Sequence, residues 1–485
     1  MMNLSYTILL HLLLSLHSRV TQCSTTTHLK LQEFQTKLQT LTSSTTYTTP
    51  PLPTPTKKSE QSSGRVFYPI GYGADPTGAH DSSAAILAAV ADAAKLQNGA
   101  NLLPGISDLG GAVIDLQGGS FLVNTPIRFP PAIGNIVVQD GTIRASATFP
   151  GDRHLIELWA PDSPKGAFSN VKDSNNGLKY EDVTIKDLLL DSSYRGGGLL
   201  VADSARVRVT NCFFLHFTTE GILVLRGHET FLRSCFLGQH PTVGGDRDEK
   251  AYSGTAIDIA STDNAITDVA IFSAAVGIVL RGRANIVTGV HCYNKATYFG
   301  GVGILVKSAQ NRIISPYLDY NSIVVEDPFQ ITISNGFFLG DGNVVLKAIQ
   351  GRISGLNIVD NVFSGDPKNM VPTVALDGTF TSIDQVNVDH NAVSGMGLKS
   401  TKGKMAVQGN GTKWEANFDP ILLFPNKINH VQYSLYLRGG IGGGFPTHAV
   451  TSVSKNLVVI ESQQAVNAVV SVYVDQDNMV GEGSL

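Results

Sequence analysis

One short phrase recurs at a nearly fixed interval between Gly198 and Leu346 and limits the possible folds. It is a small or polar residue followed by an apolar-any-apolar triplet. Its starting positions are Gly198, Gly221, Ala256, Gly277, Gly303, Ser322 and Asn343. Subtraction gives spacings of 23, 35, 21, 26, 19 and 21 residues, so the second interval holds an insertion. Periods of this size indicate stacked repeats that bury their apolar faces only against one another.

Each repeat continues with a polar turn and a second short apolar segment, such as residues 265–272 or 286–293. These segments are rich in β-branched and aromatic residues and are too short for helices. Parallel strands joined by short turns stack coil upon coil, ~4.8 Å apart. Asn264, Asn285 and Asn311 each lie 8 residues after the start of their coil, as expected of an internal ladder of amides. The pattern predicts an all-β protein, a single right-handed parallel β-helix.

The composition divides the chain into four parts. Residues 1–23 contain an apolar segment too short to span a bilayer and are predicted to be a signal peptide. Residues 24–64, rich in Ser, Thr and Pro, are predicted to form a disordered spacer. Residues 65–398 would form the β-helix, whose open end is capped by an Ala-rich helix over 82–96. Residues 399–485 alternate apolar and polar residues and are predicted to form a small antiparallel β unit that packs on the solenoid.

Several phrases resemble a known family. Gly73-Ala-Asp-Pro-Thr-Gly78, followed by an Ala-rich helix and then coils, looks like the pectate-lyase-type β-helix superfamily. Within it, Phe217-Thr-Thr-Glu-Gly-Ile, Gly244-Gly-Asp-Arg-Asp and His291-Cys-Tyr-Asn-Lys-Ala-Thr resemble plant quartet-type polygalacturonases. Those are secreted enzymes implicated in degrading the pectin of the pollen mother cell wall. The resemblance implies a secreted cell-wall glycosidase that cleaves α-1,4-galacturonan with inversion. The usual polygalacturonase motifs Asn-Thr-Asp, Asp-Asp, Gly-His-Gly and Arg-Ile-Lys are missing from the chain.

The catalytic residues must therefore be sought from the chemistry. Glycoside hydrolysis uses one protonated carboxyl group and one carboxylate, ~5 Å or ~6.5 to 9.5 Å apart. In the repeated phrase the second and fourth residues point into the core and the third points outward. Asp258 is the charged member of the seven third residues, and apolar neighbours would favour its protonated form. Glu220 comes just before the phrase one coil earlier and could approach the same groove.

Further acids lie near this pair in the sequence. Asp263 follows the strand of Asp258, where a turn-capping role is the alternative. Asp246 and Asp248 lie in the insertion between the second and third coils, which is either a functional loop or a solvated charged loop. The catalytic candidates are Asp258, Glu220, Asp263, Asp246 and Asp248.

A polyuronate carries a carboxylate on each sugar, so cations are expected along the groove. Arg226, Arg281, Arg283 and Lys307 end successive strands and are predicted to form a stripe. The substrate-binding candidates are Arg226, His228, Arg247, Arg281, Arg283, Lys295, Tyr298 and Lys307. The formal net charge is only −4, so attraction of an acidic partner must be local.

The remaining motifs concern covalent chemistry. Cys212 and Cys235 lie at equivalent positions of adjacent coils and are predicted to form a disulfide, with two buried thiols as the alternative. Asn410-Gly-Thr is a glycosylation acceptor.

The chain has no zinc-like spacing, nucleophile elbow or phosphate loop. We predict no cofactor, no metal, no nucleic-acid or membrane partner, and a monomer.

The sequence therefore favours a polygalacturonase-like hydrolase acting on pectin. Two alternatives remain open. A pectate lyase would use Ca²⁺, for which Asp246, Asp248 and Glu249 could be ligands. A noncatalytic solenoid would bind wall polysaccharide without cleaving it.

Overall fold

The structure is a computed structural model that describes residues 60–96, 99–163, 177–238, 254–293, 301–439 and 444–477. These residues belong to one compact unit. The predicted signal peptide and most of the predicted spacer lie outside them. Residues 60–64, which composition assigned to the spacer, are described, and Ser62–Ser63 pairs as a strand with Val66–Phe67. No helix in the described ranges is long and apolar enough to span a bilayer.

The described residues begin with the lower coils of a solenoid and one α-helix, α1 (Ser83–Ala93), which follows a 3-10 turn at Pro69–Tyr72. The strands of this part are β1 (Ser62–Ser63), β2 (Val66–Phe67), β3 (Asn101–Leu103), β4 (Ile106–Asp115), β5 (Ser120–Val123), β6 (Ile127–Arg128), β7 (Ile133–Ala145), β8 (His154–Leu158) and β9 (Tyr180–Asp191).

Above them, each coil contributes one strand to each of three faces. Face A contains β10 (Gly197–Ala205), β13 (Glu220–His228), β16 (Thr255–Thr262), β19 (Val276–Leu280), β22 (Gly301–Val306), β25 (Asn321–Glu326), β28 (Val344–Lys347) and β31 (Val374–Asp377). Face B contains β11 (Arg208–Thr210), β14 (Phe231–Arg233), β17 (Ala265–Thr267), β20 (Ile286–Thr288), β23 (Arg312–Ile314), β26 (Phe329–Ser334), β29 (Arg352–Val359) and β32 (Ser382–Asp389). Face C contains β12 (Phe213–Leu215), β15 (Phe236–Gly238), β18 (Ala270–Phe272), β21 (His291–Tyr293), β24 (Tyr317–Asp319), β27 (Phe337–Leu339), β30 (Val362–Ser364) and β33 (Ala392–Ser394).

The predicted parallel β-helix is confirmed, and so is its register. On face A, Ile222 pairs with Ile257, which pairs with Ile278, so the second residues of the repeated phrase stack on one another. All three are fully buried. Removing such a side chain from water stabilises the fold by about 1.5–3 kcal/mol each. The continuous core is therefore a set of apolar columns that run along the solenoid axis.

The small residue that opens the phrase has a steric reason. At Gly277, an added Cβ atom would lie 2.3 Å from the backbone oxygen of Gly303 in the next coil. At Gly198, it would lie 2.5 Å from the ring of Phe214. A larger residue would force adjacent coils apart, which explains why Gly or Ala begins five of the seven phrases.

The second apolar segment of each repeat is not one strand, as the pattern had indicated, but two. In the coil of residues 265–272, β17 and β18 are separated by Asp268, which has a φ of 53°. Gly289, at the equivalent bend of the next coil, has a φ of 63°. A residue in the left-handed region turns the chain sharply, and Gly, Asn and Asp tolerate it best. Each coil is therefore triangular.

The predicted asparagine ladder is confirmed. The side-chain oxygen of Asn285 accepts hydrogen bonds from the backbone N–H of Asn264 (3.0 Å) and from its side-chain amide (2.8 Å). The side-chain oxygen of Asn311 accepts in turn from the backbone N–H of Asn285, at 3.0 Å. All three are buried. A second ladder joins Asn361 to Asn391 higher in the stack.

Both ends of the solenoid are covered. Ile86 and Val90 of α1 belong to the same hydrophobic cluster as the first coils, which confirms that the predicted helix packs on the core. The helix begins one residue later than predicted, and the Asp81 carboxylate accepts a hydrogen bond from the N–H of Ser83. Leu423 and Phe424 join the cluster from beyond the last coil.

The predicted antiparallel C-terminal unit is also present. It is a four-stranded sheet with its own apolar cluster around Trp414 and Val470. Its strands are β34 (Lys402–Asn417), β35 (His430–Leu437), β36 (His448–Ser454) and β37 (Leu457–Asp475). Asn410 lies on β34 and is exposed, so the glycosylation acceptor is accessible.

The predicted disulfide is wrong, although its geometry was partly foreseen. Phe213 pairs with Phe236, which places the preceding residues Cys212 and Cys235 on adjacent coils. Both are buried free thiols. The sulfur of Cys212 lies 3.3 Å from the carbonyl oxygen of Thr210, and that of Cys235 lies 3.2 Å from the carbonyl oxygen of Arg233. Each thiol, at the bend between two strands, can thus donate to the carbonyl two residues earlier in its own coil.

The ladder predicts a stability difference. Asn285→Ala should lower the free energy of unfolding by about 2 kcal/mol, because buried backbone groups of two coils lose their partners. Asn357→Ala, at an exposed position of β29, is the matched control and should change it by less than about 0.5 kcal/mol. Urea unfolding followed by circular dichroism measures both. Equal effects of the two substitutions would show that the ladder does not stabilise the solenoid.

Candidate functional site

The outward column of face A carries the first candidate residue. Leu200 pairs with Leu223, Leu223 with Asp258, and Asp258 with Val279. The predicted register of the third residues of the phrase is therefore confirmed. Asp258 follows Leu223 by one coil, ~4.8 Å away along the stack.

Asp258 forms a two-pronged ion pair with Arg281. The Nε atom of Arg281 lies 2.8 Å from Oδ1, and its Nη2 atom lies 2.7 Å from Oδ2. The Asp258 side chain is 5% exposed and that of Arg281 is 28% exposed. The guanidinium edge thus holds the carboxyl group in one orientation on the face of the sheet.

Glu220 begins β13 and makes a different contact. Its Oε2 atom lies 3.3 Å from the Nε2 atom of His154, which begins β8. Gly197 pairs with His154 and separates it from Glu220 in the stack. A Cβ atom on Gly197 would lie 2.4 Å from the imidazole ring, so the glycine leaves the slot through which the ring reaches Glu220. The Glu220 side chain remains 27% exposed.

These surroundings shift the pKa values of Asp258 and Glu220 in opposite directions. Burial raises the pKa of Asp258, and the nearby charge of Glu220 adds to that effect against the opposing guanidinium. Burial also opposes ionisation of Glu220, but contact with the imidazole of His154 outweighs it and lowers the pKa. Two carboxyl groups whose pKa values are pushed apart can serve as acid and base at the same pH.

The predicted cationic stripe is only partly assembled. Lys307 is next to Arg281, because its N–H donates to the carbonyl of Leu280, and its ammonium lies 3.4 Å from Glu326. Arg226 does not belong to this column. Its guanidinium is held by Asp203 (Nε to Oδ1, 2.6 Å), and both side chains are more than nine-tenths buried. Arg226 is therefore a structural ion pair rather than a cation open to substrate.

Three further candidates lie at or next to the turns between faces A and B, His228 as the last residue of β13. Asp263 is exposed with a φ of 57°, as expected of a turn residue, and does not join Asp258 and Glu220. His228 lies 3.5 Å from Glu229 and is 43% exposed. Arg283 is exposed and, with Lys307, lines a surface cavity of about 630 Å³.

The other candidates, Asp246, Arg247, Asp248, Lys295 and Tyr298, lie outside the described residues. So does Glu249, which the calcium-dependent alternative requires.

The sequence missed a second charged cluster on the same column. Leu200 pairs with Glu157, and Glu157 pairs with Arg128. Asp258 is therefore not the sole charged residue of the outward column, as the seven repeats had suggested. The signal was available, because Ile156-Glu-Leu158 is one more apolar-any-apolar triplet, with Glu157 at its centre, the third position of the four-residue phrase. The preceding segment lacks the small residue that marks the other phrases.

Comparison with known proteins gives one close relative. Polygalacturonase QRT3 of Arabidopsis thaliana is 50% identical over 434 residues, which cover 87% of each chain. No protein-family model matches. Among solved structures, the Dettilon tailspike protein gp208 matches 85% of this chain and 94% of its own at 10% identity, with a TM-score of 0.49. The Streptococcus pneumoniae surface adhesin PfbA matches 70% of this chain and 89% of its own at 14% identity, with a TM-score of 0.43.

The ion pair of Asp258 predicts a pH-dependent stability change. Arg281→Met should lower the free energy of unfolding by about 3 kcal/mol near neutral pH, since it leaves a buried carboxylate uncompensated. The pKa of Asp258 is raised in the folded state, so the cost of ionisation is absent below the unfolded pKa, accumulates as pH rises from the unfolded toward the folded pKa, and is complete above the folded pKa. The deficit should therefore shrink at about pH 4.

Denaturant unfolding near neutral pH and at about pH 4 measures the loss of unfolding free energy in Arg281→Met. Arg312→Met, at an exposed position of β23, is the control. The same deficit at both pH values would show that Arg281 does not act by stabilising the charged form of Asp258.

Proposed function

The chain belongs to the family of Polygalacturonase QRT3, and from that premise we propose that it hydrolyses α-1,4-galacturonan, the backbone of pectin. The family membership confirms the resemblance found in the sequence. The observation that carries the catalytic proposal is the opposite displacement of the pKa values of Asp258 and Glu220 on face A. Secretion to the cell wall, a role in pollen development and a monomeric state are further parts of the proposal.

In this mechanism Asp258 is the general acid. With its raised pKa, it can hold a proton and donate it to the glycosidic oxygen as the bond to the anomeric carbon breaks. Arg281 keeps the carboxyl group fixed on the outer face during this transfer. The Asp258 carboxylate that remains is stabilised by the same guanidinium.

Glu220 is the general base. Its lowered pKa leaves it ionised, and its side chain is more exposed than that of Asp258. It can take a proton from a water molecule that attacks the anomeric carbon from the opposite side. Glu220 lies one coil before Asp258 and three residues before Leu223, roughly 10 Å along the strand. This is a backbone offset, and the inverting mechanism requires the two carboxyl groups themselves to lie ~6.5 to 9.5 Å apart so that a water molecule fits between them and the sugar.

Arg281 and Lys307 would bind the carboxylates of the galacturonate units that flank the cleaved bond. They are adjacent on face A and extend the column beyond Asp258. Guanidinium and ammonium groups are the side chains best suited to carboxylates.

A noncatalytic wall-binding solenoid is the second candidate. The observation that favours it is the two-pronged clamp on Asp258, whose side chain is only 5% exposed. A carboxyl group held in this way could serve the structure of face A alone.

An activity assay separates these functions. Purified protein is incubated with polygalacturonate, with and without chelator, while reducing ends and the absorbance of unsaturated products are followed. We expect reducing ends without unsaturation, and a loss of at least about 10²-fold in kcat for Asp258→Asn and for Glu220→Gln. Chelator-sensitive unsaturation would indicate a lyase, and no product at all would favour the binding module. A near-normal rate in either variant would remove that residue from the catalytic pair.

The pH profile tests the role of His154. Activity requires ionised Glu220 and protonated Asp258, so kcat/KM should be bell-shaped, with the acidic limb set by Glu220. His154→Gln removes the contact that lowers the pKa of Glu220, so the acidic limb should move to higher pH while the basic limb stays. His430→Gln, exposed on β35, is the control. An unmoved acidic limb would contradict the assignment of Glu220 as the base.

A further inference from the structure

A second ion cluster is centred on β6 and β8, which continue the sheet of face A on the N-terminal side of the proposed catalytic pair. Glu157 belongs to the same outward column as Asp258 and is reached from it through Leu223 and Leu200. The separation is three coils, roughly 14 Å along the stack. The cluster thus faces the same side of the solenoid without contacting the proposed reaction centre.

Two arginines share this one carboxylate. Arg128 places Nε 3.1 Å and Nη2 2.9 Å from Oε2 of Glu157. Arg153 places Nε 2.8 Å from Oε1 and Nη2 2.5 Å from Oε2. Burial opposes ionisation of Glu157, but the hydrogen bonds from Arg153 and Arg128 outweigh it and lower the pKa. Arg128, Arg153 and Glu157 thus carry two positive charges and one negative charge, and the exposed carboxylate of Asp152 lies near Arg153 without a hydrogen bond between their side chains.

A purely structural ion pair would need only one arginine to neutralise the Glu157 carboxylate. Asp203 and Arg226, elsewhere on the solenoid, form a one-to-one pair in which both side chains are more than nine-tenths buried. In the Glu157 cluster the carboxylate is fully buried, yet Arg128 and Arg153 are 37% and 31% exposed. Among the described residues, neither Nη1 atom has a hydrogen-bond partner. Each guanidinium therefore presents an unused N–H edge to solvent.

An aromatic ring completes the cluster. The guanidinium carbons of Arg128 and Arg153 lie 4.7 Å and 5.6 Å from the centroid of the Trp159 ring. Contact with the ring and with Glu157 fixes both guanidinium groups, so little entropy remains to be lost when an anion binds. The half-buried indole also offers an apolar surface beside the two cations.

We infer that Arg128, Arg153 and Trp159 form a remote subsite that binds the carboxylate of a uronate sugar in a polysaccharide chain. Arginine N–H edges match a planar carboxylate, and the ring suits the apolar face of the sugar. The inference rests on the proposed substrate class but does not require that the chain be cleaved. The subsite would favour long, unesterified chains, because a short oligomer at the catalytic pair cannot span three coils.

Binding measurements test this subsite separately from hydrolysis. In an Asp258→Asn background, isothermal titration calorimetry compares a dimer and a decamer of galacturonate. Arg128→Gln and Arg153→Gln should each weaken binding of the decamer by about tenfold, as expected for one charged hydrogen bond, and leave the dimer unchanged. Each variant keeps a one-to-one partner for Glu157, which protects the fold. Arg312→Gln on β23 is the matched control, and Trp159→Leu keeps both cations while removing the ring.

The outcomes separate the inference from the proposed function. Unchanged decamer affinity in all three cluster variants, equal losses for dimer and decamer, or no binding of either oligomer to the parent would overturn the subsite. A tenfold loss specific to the decamer would support it even if the protein with Asp258 intact released no reducing ends, in which case the proposed hydrolase activity alone would fail. A methyl-esterified decamer should bind to the parent at least as weakly as the unesterified one binds to Arg153→Gln, because esterification also removes the carboxylates that Arg281 and Lys307 would bind.

Discussion

The stacking of equivalent residues in successive parallel coils is the constraint on which the rest of the structure depends. Because each strand pairs with its counterpart one coil away, side chains at one position of the repeat form a column along the axis. Apolar columns make the core, and asparagine columns satisfy the turns. Outward columns bring together residues that are far apart in sequence, so that Glu157 and Asp258 share one face although 101 residues separate them (258 − 157).

On that face, the surroundings of each carboxyl group, rather than its being Asp or Glu, determine its pKa and its proposed role. Glu157 and Asp258 are both buried carboxyl groups held by arginine, yet their pKa values move in opposite directions. Glu157 receives hydrogen bonds from two arginines, whereas Asp258 has one arginine and the negative charge of Glu220 nearby. Glu220, although partly buried, stays ionisable because Gly197 gives the ring of His154 room to reach it. A clamped carboxylate suits binding, and the pair with separated pKa values suits acid–base chemistry.

Most of the fold was predictable from the sequence because strand alternation and coil spacing are local rules. They correctly gave the register of Ile222, Ile257 and Ile278 and the ladder of Asn264 and Asn285. The bend at Asp268 was missed because a single left-handed residue leaves the apolar pattern around it unchanged.

The site was less predictable, because side-chain contacts between coils depend on side-chain orientations that the spacing of residues in the sequence does not determine. Equal spacing placed Cys212 beside Cys235 but could not show that each sulfur would donate to a carbonyl of its own coil. It also grouped Arg226 with Arg281, although Arg226 is one residue out of that column and turns toward Asp203.

A crystal structure of Asp258→Asn with a bound galacturonate oligomer is the most direct test of the account. We expect the chain to run along face A, with a glycosidic oxygen next to residue 258 and Glu220 across the anomeric carbon. An oligomer bound to another face would contradict the account. So would an oligomer on face A in which neither residue 258 nor Glu220 lies near a glycosidic bond.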